Sequence, residues 1–357
     1  MKVYLVGGAV RDRLLGLPVH ERDWVVVGAS PLDLIGQGYR QVGKDFPVFI
    51  HPVTHEEFAL ARTERKTAPG YSEFLFHTSP EVTLEEDLGR RDLTINAMAE
   101  DEAGAVIDPY GGRDDLDRRL LRHVSEAFIE DPVRILRVAR FMSRFKALGF
   151  KVAPETMDMM RCMVQSGEVN SLVPERVFAE LNKALVEPAP AAFFQTLRAC
   201  GALHGLFPEI DALFGVPQPI RERPEVDIGV HTLLVLEQAA KLSDKPNVRF
   251  AALLHDLGKG VTNSKAWPKH PGYERRGVAL VQSLCQRVRV PVNYRRLAER
   301  VARYHGHAHR AFQLSSGAIV DLLKRIDAIR QPEGFDDFLL AVKADARGRP
   351  GYEQDPY

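Results

Sequence analysis

The chain has only three cysteines in 357 residues, Cys162, Cys200 and Cys285. They are odd in number and far apart, and no Cys-x-x-Cys pair occurs, so neither a disulfide framework nor a zinc knuckle is suggested. There is no run of about 18 apolar residues that could span a bilayer. The N-terminus has no charged-then-apolar leader. A reducing cytoplasm is therefore the expected location, with no membrane partner. Net charge is also lacking: Lys+Arg and Asp+Glu stand at 48 each. That argues against a broadly basic, non-specific nucleic-acid binder, though a local basic face stays open. No internal repeat or low-complexity segment is present. What remains, 45% hydrophobic and 27% charged, is ordinary globular material, long enough for two or three domains.

The most informative stretch is the N-terminal one, Leu5-Val-Gly-Gly-Ala-Val-Arg-Asp through Glu21-Arg-Asp23. A short apolar strand, Val3–Val6, runs into Gly7-Gly8. An amphipathic segment with Arg11 and Asp12 follows. Glu21 and Asp23 then head a second apolar run, Trp24–Val27. On a strand, residues i and i+2 share a face, so two carboxylates there could hold a divalent ion. The glycines let a backbone approach phosphate oxygens. A Gly-Gly pair is ordinarily just a turn, and an acid-x-acid pair ordinarily a solvated strand end. In the order strand, Gly-Gly, helix, acid-x-acid, strand, they point to nucleotidyl transfer.

Residues 1–112 read as mixed α/β. Strands are expected at Val3–Val6, Trp24–Val27, Val48–Ile50, Glu57–Leu60 and Ala105–Ile107. Helices are expected at Val10–Leu15, Pro31–Gly36 and Leu93–Met98. Pro109-Tyr-Gly-Gly112 is a turn cluster and a boundary candidate. The next segment, 113–222, is expected to be helical at Val133–Phe145, Pro154–Ser166, Glu175–Leu185 and Ala191–Cys200. A Pro- and Arg-rich loop, Val216–Pro224, suggests a second boundary. Residues 223–357 read as a histidine-rich helical module, with helices at His231–Leu242, Arg249–His255, Gly277–Val288 and Tyr294–Tyr304.

Two arginine constellations follow. Arg90-Arg91-Asp92-Leu-Thr-Ile-Asn96-Ala places two guanidinium forks before a short amphipathic segment, and such forks match triphosphate oxygens. Glu130-Asp131-Pro-Val-Arg134-Ile-Leu-Arg137-Val-Ala-Arg140 spaces arginines by three, near one helix face, with Arg144 continuing the row. A stripe of like charge asks for an anionic partner, unless Glu130 and Asp131 neutralise it.

Gly-Gly-x-Val-Arg-Asp, the acid-x-acid pair, Arg-Arg-Asp-Leu-Thr-Ile-Asn-Ala and Glu-Asp-Pro-x-Arg-x-Leu-Arg, in this order, resemble the class II tRNA nucleotidyltransferases, the CCA-adding enzymes of the polymerase-beta-like superfamily. The resemblance covers most of the chain. It implies an α+β chain in three parts. These are a polymerase-beta-like head (1–112), an all-helical neck and body that selects nucleotide and binds tRNA (113–222), and an HD domain (223–357). It implies untemplated addition of C, C and A to tRNA 3′ ends from CTP and ATP with Mg²⁺, by a monomer or homodimer. Glu21 and Asp23 would hold Mg²⁺. Gly8, Arg11, Arg91, Arg137 and Arg140 would contact the nucleotide. Asp131 and Arg134 would read the base edge, since cytosine and adenine each set an exocyclic amine beside a ring nitrogen acceptor. The family's first metal ligand is ordinarily Asp, and Glu21 reaches one methylene further.

Ala251-Ala-Leu-Leu-His255-Asp256-Leu-Gly-Lys259, with His231 upstream and Asp345 downstream, resembles the HD phosphohydrolase domain. Imidazole and carboxylate ligands suit a divalent transition metal, and the resemblance implies Ni²⁺. It also implies 2′,3′-cyclic phosphodiesterase, 2′-nucleotidase and phosphatase activities. Close relatives carry extra histidines where Pro271 and Tyr273 stand, so a two-metal site is not expected. His305, His307 and His309 add imidazoles to the module, and several surface histidines in one loop is the blander reading of them. Three other readings remain: a poly(A) polymerase or A-only adder, an HD nucleotide phosphohydrolase with a vestigial head, and a non-catalytic RNA-binding protein, which would explain the basic helix but not Glu21 with Asp23 or His255 with Asp256.

Overall fold

The computed structural model describes residues 1–43, 48–66, 74–218, 227–351 and 354. Of the expected boundary loop Val216–Pro224, residues 219–224 lie outside the described residues. The chain divides into two compact units, Met1–Val138 with Leu148–Leu172, and Ala139–Ala147 with Val173–Tyr357.

In the first unit, strand β1 (Lys2–Val6) leads into helix α1 (Gly8–Leu14), then β2 (Asp23–Val27), helix α2 (Pro31–Gly36), β3 (Arg40–Val42), β4 (Val48–Ile50) and β5 (Glu57–Leu60). A hairpin of β6 (Arg62–Lys66) and β7 (Phe74–Thr78) follows, then helix α3 (Leu84–Gly89), β8 (Ala99–Glu100), β9 (Val106–Ile107) and helix α4 (Gly112–Asp117). The sheet order is β3-β4-β5-β2-β1-β8-β9. The pleat sorts the apolar residues by parity. Val25 joins Val6, Ala61, Leu84 and Leu88 in one cluster, while its neighbour Val26 joins Leu34, Phe49, Phe58 and Leu60 in another. Each fully buried Val, Leu or Phe among them is worth about 1.5–3 kcal/mol. Capping fixes the helix starts. Ser30 and Asp33 form a reciprocal box before Pro31 at α2, and Thr83 with Glu86 does the same at α3.

One expectation of local structure is corrected. Leu93–Met98 is not a helix but a single 3₁₀ turn, Thr94–Asn96. Its backbone is drawn elsewhere: Thr94 N–H donates to the Arg122 carbonyl, and Leu93 bridges to His123. The Pro109–Gly112 turn lies within the first unit. The Asp108 carboxylate accepts from Gly112 and Arg113 N–H at 2.7 and 2.9 Å, and a Cβ at Gly112 would come within 2.4 Å of the Thr94 carbonyl oxygen.

Two short strands, β10 (Leu120–Leu121) and β11 (Lys151–Val152), pair in parallel in the first unit. Helix α5 (Val133–Phe145) carries the arginine row, with Ile135, Leu136, Val138, Ala139 and Phe145 buried between the arginines. Helix α6 (Pro154–Gln165) belongs to the first unit. The second unit contains α7 (Pro174–Val186), α8 (Ala191–Cys200), α9 (Ala202–Leu206), α10 (Pro208–Asp211), α11 (Ile228–Leu242) and α12 (Pro246–Leu254). It continues with α13 (Tyr273–Arg287), α14 (Val292–Ala308), α15 (Ser316–Arg325) and α16 (Pro332–Arg347). Val248 to Leu254 of α12 are all buried, and this helix packs against α11, α14 and α16. A helix buried on every side belongs at the centre of its bundle, and the one charged member of this run, Arg249, donates to the carbonyls of Ser243 and Leu185. Among the described residues, no helix is long and apolar enough to cross a membrane.

Candidate functional site

The first site is built by strand register. β1 and β2 pair antiparallel with Val6 opposite Asp23, so Asp23 stands beside the strand end that turns into Gly7-Gly8. Gly7 has φ +68, and a Cβ there would lie 2.8 Å from the nearest terminal nitrogen of Arg91. Arg91 is thereby packed on the glycine backbone. Its Nε is buried with no hydrogen-bond partner among the described residues, while one terminal nitrogen reaches Asp87 at 3.2 Å. A buried guanidinium donor left over beside Asp23 and the glycines fits a phosphate.

Glu21 does not share the strand face expected of it. β2 begins at Asp23, because β1 ends opposite it and offers no partner further out, so Glu21 lies in the preceding loop. Both carboxylates are exposed at the surface. Even so, the protein packed around the Asp23 carboxyl raises its pKa by removing water; Arg91 opposes this and Glu21 adds to it. Two acids of like charge, one of them reluctant to ionise alone, fit a divalent cation. Gly8 opens α1, while Arg11 turns inward and is buried. Its guanidinium donates to Asn96 Oδ1 at 2.5 Å and to Asp12 Oδ1 at 2.8 Å.

The arginines of α5 have partners beyond Glu130 and Asp131. Arg134 donates to the carbonyls of Ala127 and Arg90 at 2.7 and 2.6 Å. Arg137 Nε donates to Asp92 Oδ2 at 2.7 Å. Arg140 Nε donates to Glu180 Oε2 at 2.7 Å. Asp131 Oδ1 accepts the Val133 N–H at 3.1 Å and so caps the helix. Asp92 also takes the Leu93 N–H and Asn96 Nδ2. Burial alone would raise the Asp92 pKa, but Arg137 and Asn96 hold it well below the usual carboxylate range. Sequence reasoning quoted Asp92 and Asn96 without giving them a role, and it missed Asp87 and Glu180. For Asp87 the i,i+3 and i,i+4 spacing to Arg90 and Arg91 was the available signal, whereas nothing local marks Glu180 as the partner of Arg140, 40 residues away.

The second site lies in the other unit. His231 on α11, His255 after α12 and Asp345 on α16 are buried and offer ligand atoms all within 4.8 Å of one another. His231 Nε2 is 3.1 Å from Asp345 Oδ1, and His255 Nε2 is 3.6 Å from the same oxygen. Asp256 Oδ2 is 3.2 Å from His255 Nε2 and 2.6 Å from Lys259 Nζ. Burial pushes the Asp256 pKa up, yet His255 and Lys259 hold it well below the usual range. His255 Nδ1 donates to the Ala252 carbonyl at 2.7 Å, which turns the Nε2 lone pair inward. Buried His255 Nε2 and Asp256 Oδ1 have no hydrogen-bond partner among the described residues. Buried acceptors left over in a His-Asp cluster fit a bound cation.

One correction concerns the later histidines. His305 and His307 are on α14 and His309 caps it, so they do not form a loop. His305 is buried 3.6 Å from Asp256 Oδ1, and His309 Nε2 lies 2.7 Å from Asp345 Oδ2. The i,i+4 spacing, which puts both on one helix face, was the available signal. Tyr273 hydroxyl meets His305 Nε2 at 3.0 Å.

Comparison with known proteins places this arrangement. Residues 3–122 match the poly A polymerase head domain. Residues 149–214 match a probable RNA and SrmB-binding site of polymerase A, and residues 228–329 match the HD domain. The multifunctional CCA protein of Methylococcus capsulatus is 65% identical over 358 residues, covering 100% of this chain and 84% of the relative. That of Thioalkalivibrio sulfidiphilus is 64% identical, covering 100% and 87%. The fold resembles a CCA-adding enzyme in an apo form (TM-score 0.66, 20% identity, 96% of this chain and 75% of the other). It also resembles the Thermotoga maritima CCA-adding enzyme complexed with tRNA (TM-score 0.64, 21% identity, 96% and 74%). The chain thus belongs to the multifunctional CCA protein family and is a nucleotidyltransferase that also carries an HD domain.

Proposed function

We propose that this chain adds C, C and A to the 3′ end of tRNA without a nucleic-acid template, taking CTP and ATP. The observation that carries the reading is the convergence of Asp23, the Gly7-Gly8 backbone and the leftover Arg91 donor at one strand end. Glu21 and Asp23 would hold Mg²⁺. The ion supplies charge neutralisation at the α-phosphate and acidity to the attacking 3′ hydroxyl. Arg91 binds and orients the triphosphate, and the bare glycine backbone lets it approach. Arg11, Arg137 and Arg140 complete the nucleotide contacts, and Asp131 with Arg134 reads the base edge. In this reading residues 1–112 form the head, 113–222 the nucleotide-selecting and tRNA-binding part, and 223–357 the HD domain. Relatives named as CCA proteins, and one structural neighbour complexed with tRNA, support it.

A second activity rests on the buried His231, His255 and Asp345 cluster. These residues, with Asp256, would hold a divalent transition metal such as Ni²⁺, which supplies acidity to a hydrolytic water. The substrate class is a 2′,3′-cyclic phosphate, with 2′-nucleotidase and phosphatase activity at the same centre. A cytoplasmic location suits both substrates.

The test is product analysis on a tRNA lacking its CCA end, with CTP and ATP. Stepwise addition of C, C and A supports the reading, and A alone or a poly(A) tail overturns it in favour of an A-adding relative. Asp23→Ala should abolish extension while cyclic-phosphate hydrolysis persists, whereas Glu21→Asp should stay active. Extension by Asp23→Ala near the wild-type rate would remove the metal assignment.

A further inference from the structure

We propose that the outer face of helix α14 docks the phosphate backbone of the tRNA, which gives the second unit an RNA surface of its own; the proposal rests on the tRNA reading above. Charge points to it first. Residues 273–310 hold nine arginines and no lysine, against two acids, Glu274 and Glu299, in a chain whose charges sum to zero. Four of those arginines, Arg295, Arg296, Arg300 and Arg303, lie on α14, and Arg310 follows it. A helix that gathers charge of one sign in a neutral protein is destabilised by self-repulsion, which an anionic partner offsets.

The spacing sorts the helix into two faces. Arg296, Arg303 and Arg310 recur every seven residues, two turns or about 10.5 Å apart, and Arg300 and His307 fall between them on the same side. The other side carries Leu297, Ala298, Val301, Ala302 and His305, all buried, and His305 and His309 turn there toward Asp256 and Asp345. Arg296 and Arg310 are exposed and Arg303 is partly exposed. Among the described residues neither Arg296 nor Arg303 has an acidic partner, and Arg310 donates only its Nε–H, to the Gly306 carbonyl at 3.1 Å. Arg300, by contrast, is tied to Asp327 Oδ2 at 3.2 Å. His307 registers the field of this row: burial, then Arg310 and Arg303, lower its pKa, while Glu274 opposes them.

A cleft of about 600 Å³ opens beside the Arg296 end of the row, lined by Gln282, Gln286 and Arg289 on one side and by Arg295 and Glu299 on the other. Arg295 Nε is buried with no hydrogen-bond partner among the described residues, and Glu299 Oε1 stands 3.6 Å away, beyond hydrogen-bond reach. A leftover guanidinium donor beside two amides and a second arginine fits a phosphate oxygen. Side-chain type selects the occupant. Arginine forks match phosphate oxygens in pairs. A helix lying on lipid would show large apolar residues beside its basic ones, whereas the large apolar residues of α14 are buried or half-buried except Val292. Contacts to phosphates position an RNA without reading its sequence.

The experiment separates binding from chemistry. The chain carrying Asp23→Ala, so that bound tRNA is not extended, is titrated into labelled tRNA lacking its CCA end, and anisotropy is read from about 50 to about 300 mM KCl. The triple variant Arg296→Gln, Arg303→Gln, Arg310→Gln keeps helix-forming side chains. It should raise the Kd at least about tenfold at low salt and flatten the slope of log K against log salt by about two to three. A charge-matched control off α14, Lys265→Gln, Lys324→Gln, Arg325→Gln, removes three exposed charges and should stay within about twofold of the parent. With Asp23 restored, the triple variant should raise the KM for tRNA in extension and leave kcat unchanged. Cooperative melting establishes folding; if the triple variant unfolds, the three single variants replace it, each expected to flatten the slope by about one. Unchanged Kd and slope in the folded variants would overturn the proposal and leave the CCA reading intact. Equal weakening in the control would trace the effect to net charge and overturn it as well. Loss of binding to anionic phospholipid vesicles, with tRNA binding retained, would assign the face to a membrane instead. A parent protein that does not bind tRNA would overturn the tRNA reading itself, and the proposal with it.

Discussion

Asp92 is buried under three donors, the Leu93 N–H at 2.8 Å, Asn96 Nδ2 at 2.9 Å and Arg137 Nε at 2.7 Å. Its folded-state pKa is depressed, so its stabilising contribution is complete above the unfolded value, near 3.9, and is lost as the pH falls toward the folded value. Arg137 keeps 35% of its side chain in water, which screens the pair. Asp92→Asn should therefore cost roughly 1–3 kcal/mol at neutral pH. The gap to wild type in urea unfolding should be widest near pH 7 and should narrow below about pH 4. Asp131 makes a different demand. If it reads the base edge with Arg134, Asp131→Ala loses a contact worth roughly 1–3 kcal/mol, or about 10- to 100-fold in choosing CTP and ATP over UTP and GTP. Competitive incorporation with all four nucleotides measures this, and unchanged selectivity would leave Asp131 as only the cap of α5.

Elements differ in how much of their conduct is local. α2 and α5 follow the expected Pro31–Gly36 and Val133–Phe145, since the Ser30 box with Pro31 sets one start and the apolar spacing sets the other. The Thr94–Asn96 turn is tied down at its first residue, whose N–H donates to the Arg122 carbonyl, far along the chain. The same dependence on a distant partner governs the start of α13. Gly258 must stay bare for Tyr273 and Gly277 to approach. Gly258→Ala should destabilise the second unit by about 1–3 kcal/mol or more through overpacking. Calorimetric melting and ion content should show both a lower midpoint and loss of ion from the HD centre.

At the scale of the whole molecule, the two candidate metal centres fall in different compact units. Asp23, Gly7 and Arg91 belong to the first, and His231, His255, Asp256 and Asp345 to the second. Local stability in each depends on its own core. Asp256→Ala should eliminate hydrolysis of 2′,3′-cyclic AMP and leave tRNA extension near the wild-type rate. A parallel loss of both activities would mean that the two centres do not act separately. α5 does not respect this division, since Arg134 and Arg137 fall in the first unit and Arg140 in the second. The spacing of three that aligned them on paper says nothing of that difference.

The sequence by itself determined the motif order, the apolar strands, the starts of several helices and the HD pair at His255-Asp256, because these depend on near neighbours: parity on a strand, periodicity on a helix, a cap beside its turn. Only the tertiary structure decided the partners. It joined Arg137 to Asp92 across 45 residues and His231 to Asp345 across 114. It removed Glu21 from the strand, and it brought Lys259, Tyr273, His305 and His309 into the HD centre. Such contacts are set by how sheet register and helix packing place distant segments side by side, and no local spacing encodes that placement.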